Sequence, residues 1–253
     1  MNLEIFDSLV HPECNDSSFR ELQISMESSG INAAFAVSLP GQVELDHQKY
    51  FDLANTHKGL TPVASVCSTK SPEKELHKIQ EIGYRHIKLH PRLLNKALEK
   101  DFNFYDSIFS WAASHGIVIF ICTYNSWSIE NLADQDPMNV LGRLIKQNPT
   151  GKYVLLHGGS TSLLKYYEYF RNIENVILDL SYTLLHFYQS SLINDIKFLM
   201  KNFDKRLLVG SDYPEFSHKI FEQALSELDA ELPSEKIKNI VHHNGIKVRD
   251  GNF

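Results

Sequence analysis

The chain has 253 residues, of which 43% are apolar, and it carries a formal net charge of −6. This length supplies a sizeable core, and one barrel domain over residues 1–253 is a common outcome at this size. The acidic balance and the scattered lysines and arginines exclude a basic face for nucleic acid, and no apolar run reaches the ~20 residues that span a bilayer.

Cysteine usage predicts the compartment. Cys14, Cys67 and Cys122 are an odd number of cysteines with wide spacing, which is not a disulfide framework. The first residues lack a basic segment followed by an apolar stretch, so we expect no signal peptide. These features predict a soluble cytoplasmic protein that acts on a small molecule, with neither nucleic acid nor a membrane as partner. Whether the protein forms a homo-oligomer stays open.

Eight short runs rich in apolar and β-branched residues occur along the chain and predict strands. In chain order they are Leu3–Phe6, Ala33–Ser38, Pro62–Cys67, His86–Leu89, Ile117–Cys122, Tyr153–Leu156, Asn175–Leu180 and Arg206–Gly210. Several of them are almost wholly apolar, such as "IVIFIC" and "RLLVG". Continuous apolar runs of this length are typical of strands buried on both faces of a parallel sheet.

Amphipathic stretches lie between these runs and predict helices. The stretch "SPEKELHKIQEIG" has Ser71 as N-cap, Pro72 in the first turn and Gly83 at its end. The stretch "FNFYDSIFSWAASHG" also ends in a glycine, Gly116, which can take the left-handed conformation of a helix C-cap.

The alternation of eight strands with helices predicts an α/β fold, a (β/α)₈ TIM barrel. The alternative is a doubly wound open sheet, which usually has fewer strands and a glycine-rich phosphate turn near its start. The sequence has no G-x-G-x-x-G motif, and its glycine pair, Gly158–Gly159, follows the sixth run. The barrel is therefore the favoured prediction.

Polar residues concentrate at the carboxyl ends of the predicted strands. In a barrel these ends carry the catalytic groups, because the loops that follow the strands form the active face. The residues at these positions are Asp7 and His11 after strand one, Lys88, His90 and Arg92 after strand four, Cys122, Thr123 and Tyr124 after strand five, His157 after strand six, Asp179 and Ser181 after strand seven, and Ser211 and Asp212 after strand eight.

Four of these strand ends resemble, in order, the motifs of the amidohydrolase-related family within the amidohydrolase superfamily. They read "FDSLVHP", "RHIKLHP", "YVLLHGG" and "LLVGSDYP", where the family has D-x-H-x-H, G-I-K-L-H-P, V-L-x-H-x-G-G and G-S-D-x-P. The late "VHHNG", with Asn244, is similar to the family's closing asparagine segment. The resemblance covers essentially the whole chain and implies a hydrolase barrel of the metal-dependent superfamily.

Two departures alter the metal site that this resemblance implies. Leu9 stands where the family has its first strand-one histidine, and Cys122 stands where the family has its strand-five histidine. Leucine cannot bind a metal, whereas a cysteine thiolate can. A catalytic zinc usually has three protein ligands and an open position, and the candidates that remain are His11, Cys122 and Asp212. We therefore predict one weakly held divalent ion such as zinc, or none.

The other candidate residues follow from the chemistry of hydrolysis. Asp212 can activate water as a general base, while His157 and Lys88 can hold a carboxylate or stabilise an oxyanion. These three are the predicted catalytic residues. The predicted substrate-binding residues are His90, Arg92 and Tyr124.

The favoured function is a hydrolase of the amidohydrolase-related type that acts on a small ester, lactone or amide. Related barrels also include decarboxylases and hydratases, so the family resemblance does not fix the bond. The alternative is a non-catalytic amidohydrolase-like barrel that binds a metabolite or a protein partner, because two metal histidines are lost. Retention of Asp212, His157 and Lys88 favours the enzyme.

Overall fold

The computed structural model describes residues 4–43, 45–124 and 137–253, and eight strands form one parallel sheet in the order β1 to β8. The strands are β1 (Ile5–Val10), β2 (Ile31–Val37), β3 (Leu60–Ser65), β4 (His86–Leu89), β5 (Val118–Cys122), β6 (Lys152–Leu156), β7 (Val176–Asp179) and β8 (Leu207–Leu208). Each of the eight predicted runs overlaps one strand. Leu3, the first residue of the first run, lies outside the described residues.

Helices connect the strands, and two of them end at the glycines that the sequence predicts. They are α1 (Asp16–Ser28), α2 (His47–Thr56), α3 (Pro72–Ile82), α4 (Pro91–Leu94), α5 (Phe102–His115), α6 (Pro137–Gln147), α7 (Leu163–Phe170), α8 (Thr183–His186), α9 (Leu192–Asn202), α10 (His218–Asp229), α11 (Ser234–Lys238) and α12 (Asn244–Arg249). Helix α3 follows Ser71 and ends at Gly83, with φ of 113°, and α5 ends at Gly116, with φ of 66°. In the part of the chain that the structure describes, no helix has the length and apolarity needed to cross a membrane.

The last strand returns to the first and closes the sheet. Ser8 N donates to Val209 O at 3.1 Å. One step further along the strands, Asp212 N donates to Leu9 O at 3.0 Å. These contacts join the residues that directly follow β8 to β1, so the predicted TIM barrel is confirmed. The carboxyl ends of all eight strands therefore meet at one face.

Apolar side chains fill the barrel below that face. The ring of Phe35 lies 4.8 Å from the ring of Phe6 and 5.0 Å from the ring of Phe120, measured between centroids. Leu9 belongs to the same interior cluster and is fully buried. A second apolar layer packs between the strands and the surrounding helices. Because the interior is packed with side chains, a ligand reaches the strand ends from the carboxyl face.

Candidate active site

A cavity of about 540 Å³ opens at the carboxyl face of the barrel, which is a size suited to a small organic ligand. Its walls are formed by His11, Glu13, Leu39, Gln42, Lys88, His90, Arg92, Leu93, Cys122, Tyr124, His157, Tyr182, Asp212, Pro214 and Glu215. Every side chain predicted to be catalytic, substrate-binding or metal-binding is among them. The structure thus brings these residues together, and the role of each stays a prediction.

Lys88 and His11 form the deep side of this cavity. The Nζ atom of Lys88 lies 3.1 Å from Nε2 of His11, and Lys88 is only 1% exposed. The Nδ1 atom of His11 lies 2.6 Å from Val37 O, where the ring must donate, so Nε2 is left to accept from Lys88. Burial and the charge of Lys88 lower the pKa of His11 and hold the ring neutral. Burial lowers the pKa of Lys88 as well.

Asp212 lies on the other side of His11, with its Oδ1 atom 3.3 Å from Nε2 of the ring. Burial alone would raise the pKa of this carboxyl group. The contact with His11 and the positive charges of His157 and Lys88 outweigh burial, so the pKa of Asp212 falls well below its usual range. The cavity therefore presents an ionised carboxylate beside buried cationic groups.

Cys122 lies at the end of β5 between two histidines. Its thiol lies close to His157 and His90, which line the same cavity, and the residue is 7% exposed. Burial alone would raise the pKa of this thiol, but the two histidines outweigh burial and bring the pKa well below its usual value. The pairing with Cys122 also raises the pKa of His157 to about 9, although burial acts in the opposite sense. The directions of the two pKa shifts favour a thiolate on Cys122 and an imidazolium on His157.

The turn after β6 aims His157 at this thiol. His157 has a φ of 66°, and its Nδ1 atom lies 2.9 Å from Ser181 O, so Nδ1–H donates there and Nε2 is left for Cys122. Gly159 follows with a φ of 77°, and a Cβ atom at this position would lie 2.2 Å from the ring of Tyr166. The position therefore needs glycine, which gives the second glycine of "HGG" a local structural reason.

Two buried aspartates connect the strand ends through hydrogen bonds and do not line the cavity. Asp7 accepts hydrogen bonds from Ser211 N at 2.9 Å and from Ser211 Oγ at 2.5 Å. Asp179 accepts hydrogen bonds from the hydroxyl groups of Ser8 and Ser181. Both aspartates are fully buried, and burial raises the pKa of Asp179. These contacts tie β1 to β7 and β8, and they hold the turns that carry the cavity residues.

Sequence reasoning does not predict Tyr182, which lines the cavity after β7. This residue has a φ of 63°, and its ring centroid lies 5.0 Å from that of Tyr124 and 6.1 Å from that of His157. Its only signal in the sequence is its place in the strand-end stretch "LDLSYT", where a tyrosine also fits ordinary packing. Three further wall residues come from loops without a motif, and these are Glu13, Gln42 and Glu215.

A second polar group lies outside the cavity. The donor atoms of His47, Cys67 and Glu75 lie within 4.8 Å of one another, and among the described residues this is the one group with metal-binding spacing. The Glu75 carboxylate accepts hydrogen bonds from Cys67 N at 3.0 Å and from Ser68 N at 2.7 Å. Burial and the Glu75 charge raise the pKa of Cys67 to about 12, which keeps it a neutral thiol and a poor ligand. The contacts show that Glu75 holds the loop after β3.

The strand-end residues do not fit the metal site that the motifs imply. His11 offers its Nε2 atom to Lys88, and the donor atoms of His11, Cys122 and Asp212 do not form a group with metal-binding spacing. Leu9, at a further ligand position of the motif, is fully buried among the apolar side chains of the barrel interior. A cation held by His11 would also lie next to the Lys88 amine, where it competes for the same lone pair.

We expect protein purified without added metal to retain far less than stoichiometric zinc after dialysis against a mild chelator. The physical reason is that, among the described residues of the cavity wall, no three donor atoms lie within 4.8 Å of one another. Plasma emission spectrometry of the dialysed protein measures the zinc content. Stoichiometric zinc would contradict this prediction, and the Cys67→Ser variant would then show whether the ion is held by the group around Glu75.

The sequence matches a family model described as amidohydrolase over residues 14–248. No curated protein matches the sequence. Among solved structures, an uncharacterized TIM-barrel protein from Bordetella bronchiseptica is 16% identical, with a TM-score of 0.82 and a match that covers 99% of each chain.

Two other solved structures carry functional names. A probable 2-pyrone-4,6-dicarboxylic acid hydrolase from Acinetobacter baumannii, with citric acid bound, is 16% identical with a TM-score of 0.67, over 98% of this chain and 100% of the other. A 4-oxalomesaconate hydratase from Rhodopseudomonas palustris is 15% identical with a TM-score of 0.65, over 98% of this chain and 96% of the other. At these identities the likeness establishes the barrel fold.

Proposed function

Because this chain belongs to the amidohydrolase family, whose model matches residues 14–248, we propose that it hydrolyses a small carboxylate-bearing ester, lactone or amide without a metal ion. Amidohydrolases usually use a divalent metal ion. Such an ion activates water and stabilises negative charge on the substrate. In this chain, side chains of the cavity wall are proposed to take over both tasks.

The observation that carries the proposal is the ionised Asp212 next to buried basic groups on one wall of the cavity. The carboxylate lies 3.3 Å from His11, which in turn lies 3.1 Å from the Lys88 amine. A fixed carboxylate can accept a proton from water, and fixed positive groups favour the oxyanion that forms when a carbonyl is attacked. Because these groups are already ordered by the fold, they need little rearrangement during the reaction.

Three basic side chains of the cavity wall can bind an anionic substrate. Lys88, Arg92 and the His157 imidazolium line the cavity, and all three can hold a carboxylate. The names of two structural relatives, a dicarboxylic acid hydrolase and an oxalomesaconate hydratase, point to substrates of the same charge. We therefore assign one carboxylate of the substrate to the side of Arg92, with the scissile carbonyl deeper in the cavity near Lys88.

Within this arrangement each side chain has one task. Lys88 donates to the carbonyl oxygen as negative charge develops there. Asp212 takes the proton of the attacking water, and the positive charges of His157 and Lys88 keep this carboxylate ionised. His157 supplies a proton to the leaving group from its Nε2 atom, since Nδ1 is engaged by Ser181 O.

Titration at constant pH tests the proposal with a panel of small esters, lactones and amides. The panel pairs each carboxylate-bearing compound with its neutral methyl ester or amide, and every assay is repeated with a strong chelator. We expect turnover of at least one anionic member, slower turnover of its neutral partner and no loss of rate with chelator. Calorimetric binding of the same compounds without turnover would instead support the non-catalytic barrel.

A further inference from the structure

Cys122 has surroundings that ordinary core packing does not explain. Its side chain lies on the cavity wall together with those of His90 and His157, whereas a cysteine that only fills space has apolar neighbours. We propose that Cys122 is the nucleophile of this site and that hydrolysis passes through an acyl thioester on its Sγ atom. This inference rests on the proposed hydrolase function and adds a covalent step to it.

His157 has the geometry of the base that activates this cysteine. Its Nδ1–H donates to Ser181 O at 2.9 Å, and the Ser181 hydroxyl in turn donates to buried Asp179. This chain of contacts fixes the ring and its tautomer, so Nε2 faces Cys122 and can take the thiol proton. A nucleophile, a base in contact with it and a third group that orients the base are the three parts that cysteine hydrolases need.

His90 contacts the same sulfur in a different role. Its Nδ1 atom accepts a hydrogen bond from Leu93 N at 3.4 Å, at the start of α4. Nε2 is therefore the nitrogen of the ring that carries a proton and is left to donate to Cys122. His90 is accordingly a positioning residue that stabilises the thiolate, while His157 exchanges the proton.

The other two cysteines lack this environment. Cys67 lies beside the Glu75 carboxylate, a negative charge that disfavours a thiolate. Cys14 is 3% exposed, and its Sγ atom lies 3.7 Å from Asp46 O. Neither residue lines the cavity. Cys122 is thus the cysteine that combines a histidine base with access to a ligand.

The first half of the reaction forms the thioester. The Cys122 thiolate attacks the substrate carbonyl carbon, an S–C bond forms, and the π electrons of the carbonyl move to its oxygen next to Lys88. When the oxyanion collapses, the bond from carbon to the leaving oxygen breaks. That oxygen takes the proton from Nε2 of His157. The products of this half are an alcohol, an acyl group on Cys122 and a neutral His157.

The second half consumes water. Water attacks the thioester carbonyl, and its proton passes to Asp212. The positive charge of His157 is one cause of the low pKa of Asp212, so the loss of that charge in the first half makes Asp212 a stronger base for this step. The C–S bond breaks, Cys122 leaves as thiolate, and the proton returns from Asp212 to His157. The net reaction is ester plus water to carboxylic acid plus alcohol.

The test uses the full chain and a p-nitrophenyl hemiester of a short dicarboxylic acid. We expect a burst of about one equivalent of nitrophenolate per chain, as for other acyl-enzymes. Acid quenching and peptide mass spectrometry should locate the acyl group on Cys122. Cys122→Ser should abolish the burst, and His157→Gln should slow it by roughly 10²-fold, since it removes general-base help. The melting temperature of each variant serves as the check on folding.

Cys14→Ser and Cys67→Ser are the matched controls and should keep the full burst. Parental turnover by Cys122→Ser, or an acyl group found on Cys67 instead, overturns the nucleophile and leaves the hydrolase proposal standing. Acylation of Cys122 without turnover of any compound supports the nucleophile and removes the hydrolase. Labelling of the parent protein does not depend on how the variants fold, so absence of acyl-Cys122 in the parent protein also overturns the inference.

Discussion

Asp212→Asn is expected to lower kcat by ~10²–10⁴ while the barrel stays folded, because general acid–base help is typically of that size. The amide keeps the shape of the carboxylate and its place near His11, but it cannot accept a proton from water. Steady-state rates on the best anionic substrate and a thermal melt of the same preparation measure the two parts of the prediction. The burst of acylation should persist in this variant, because Asp212 acts on the water step.

Glu215→Gln is the control for this substitution. Glu215 is an exposed carboxylate at the edge of the same cavity, and its backbone N–H donates to Asp212 O at 2.9 Å. This control changes a neighbouring carboxylate to an amide, so it reproduces the change in net charge without removing the proposed base. We expect its kcat to be within a few-fold of that of the parent. An Asp212→Asn variant that retains parental kcat would show that His157 serves as the base in both half-reactions.

The fold could be predicted from the sequence because its signals are local. A strand buried on both faces must be apolar along its whole length, and runs such as Val118–Cys122 have no other stable place in a barrel. The positions of the cavity residues follow from the same reasoning, since polar residues that directly end such strands must lie at the carboxyl face. Lys88 and Cys122 could therefore be placed on the cavity without any knowledge of their neighbours.

The partners of these residues could not be predicted, because they depend on turns and strand irregularities that carry no simple pattern. A register shift between Asp7 and Val10 interrupts the alternation of β1, so Asp7 faces Ser211 rather than the cavity. The left-handed backbone at His157 directs its ring to Cys122. The motif spacing instead grouped Cys122 with His11 as metal ligands, which is the natural reading when only the order of residues is known.

Lys88→Met is expected to lower kcat by ~10²–10³, the usual cost of removing one donor from a developing oxyanion. The same substitution should leave the melting temperature unchanged or raise it. A fully buried amine loses its hydration, and replacing a buried charged group by an apolar side chain of similar volume is often neutral or stabilising. Asp212 keeps His11 and the positive charge of His157 as neighbours, so its carboxylate does not become an isolated buried charge.

Titration of His11 separates a catalytic role of Lys88 from a structural one. The charge of Lys88 is one of the causes that lower the pKa of His11, so its removal should raise that pKa, and NMR titration of the imidazole measures the change. Lys96→Met is the control, since Lys96 pairs with Asp101 at 2.8 Å away from the cavity and should affect neither kcat nor the pKa of His11. A Lys88→Met protein could instead melt several degrees lower and lose kcat only in proportion to the fraction that is unfolded. That result would show that Lys88 has a structural role in the barrel. Retained stability with lost turnover would show instead that the fold tolerates a costly buried amine because catalysis requires it.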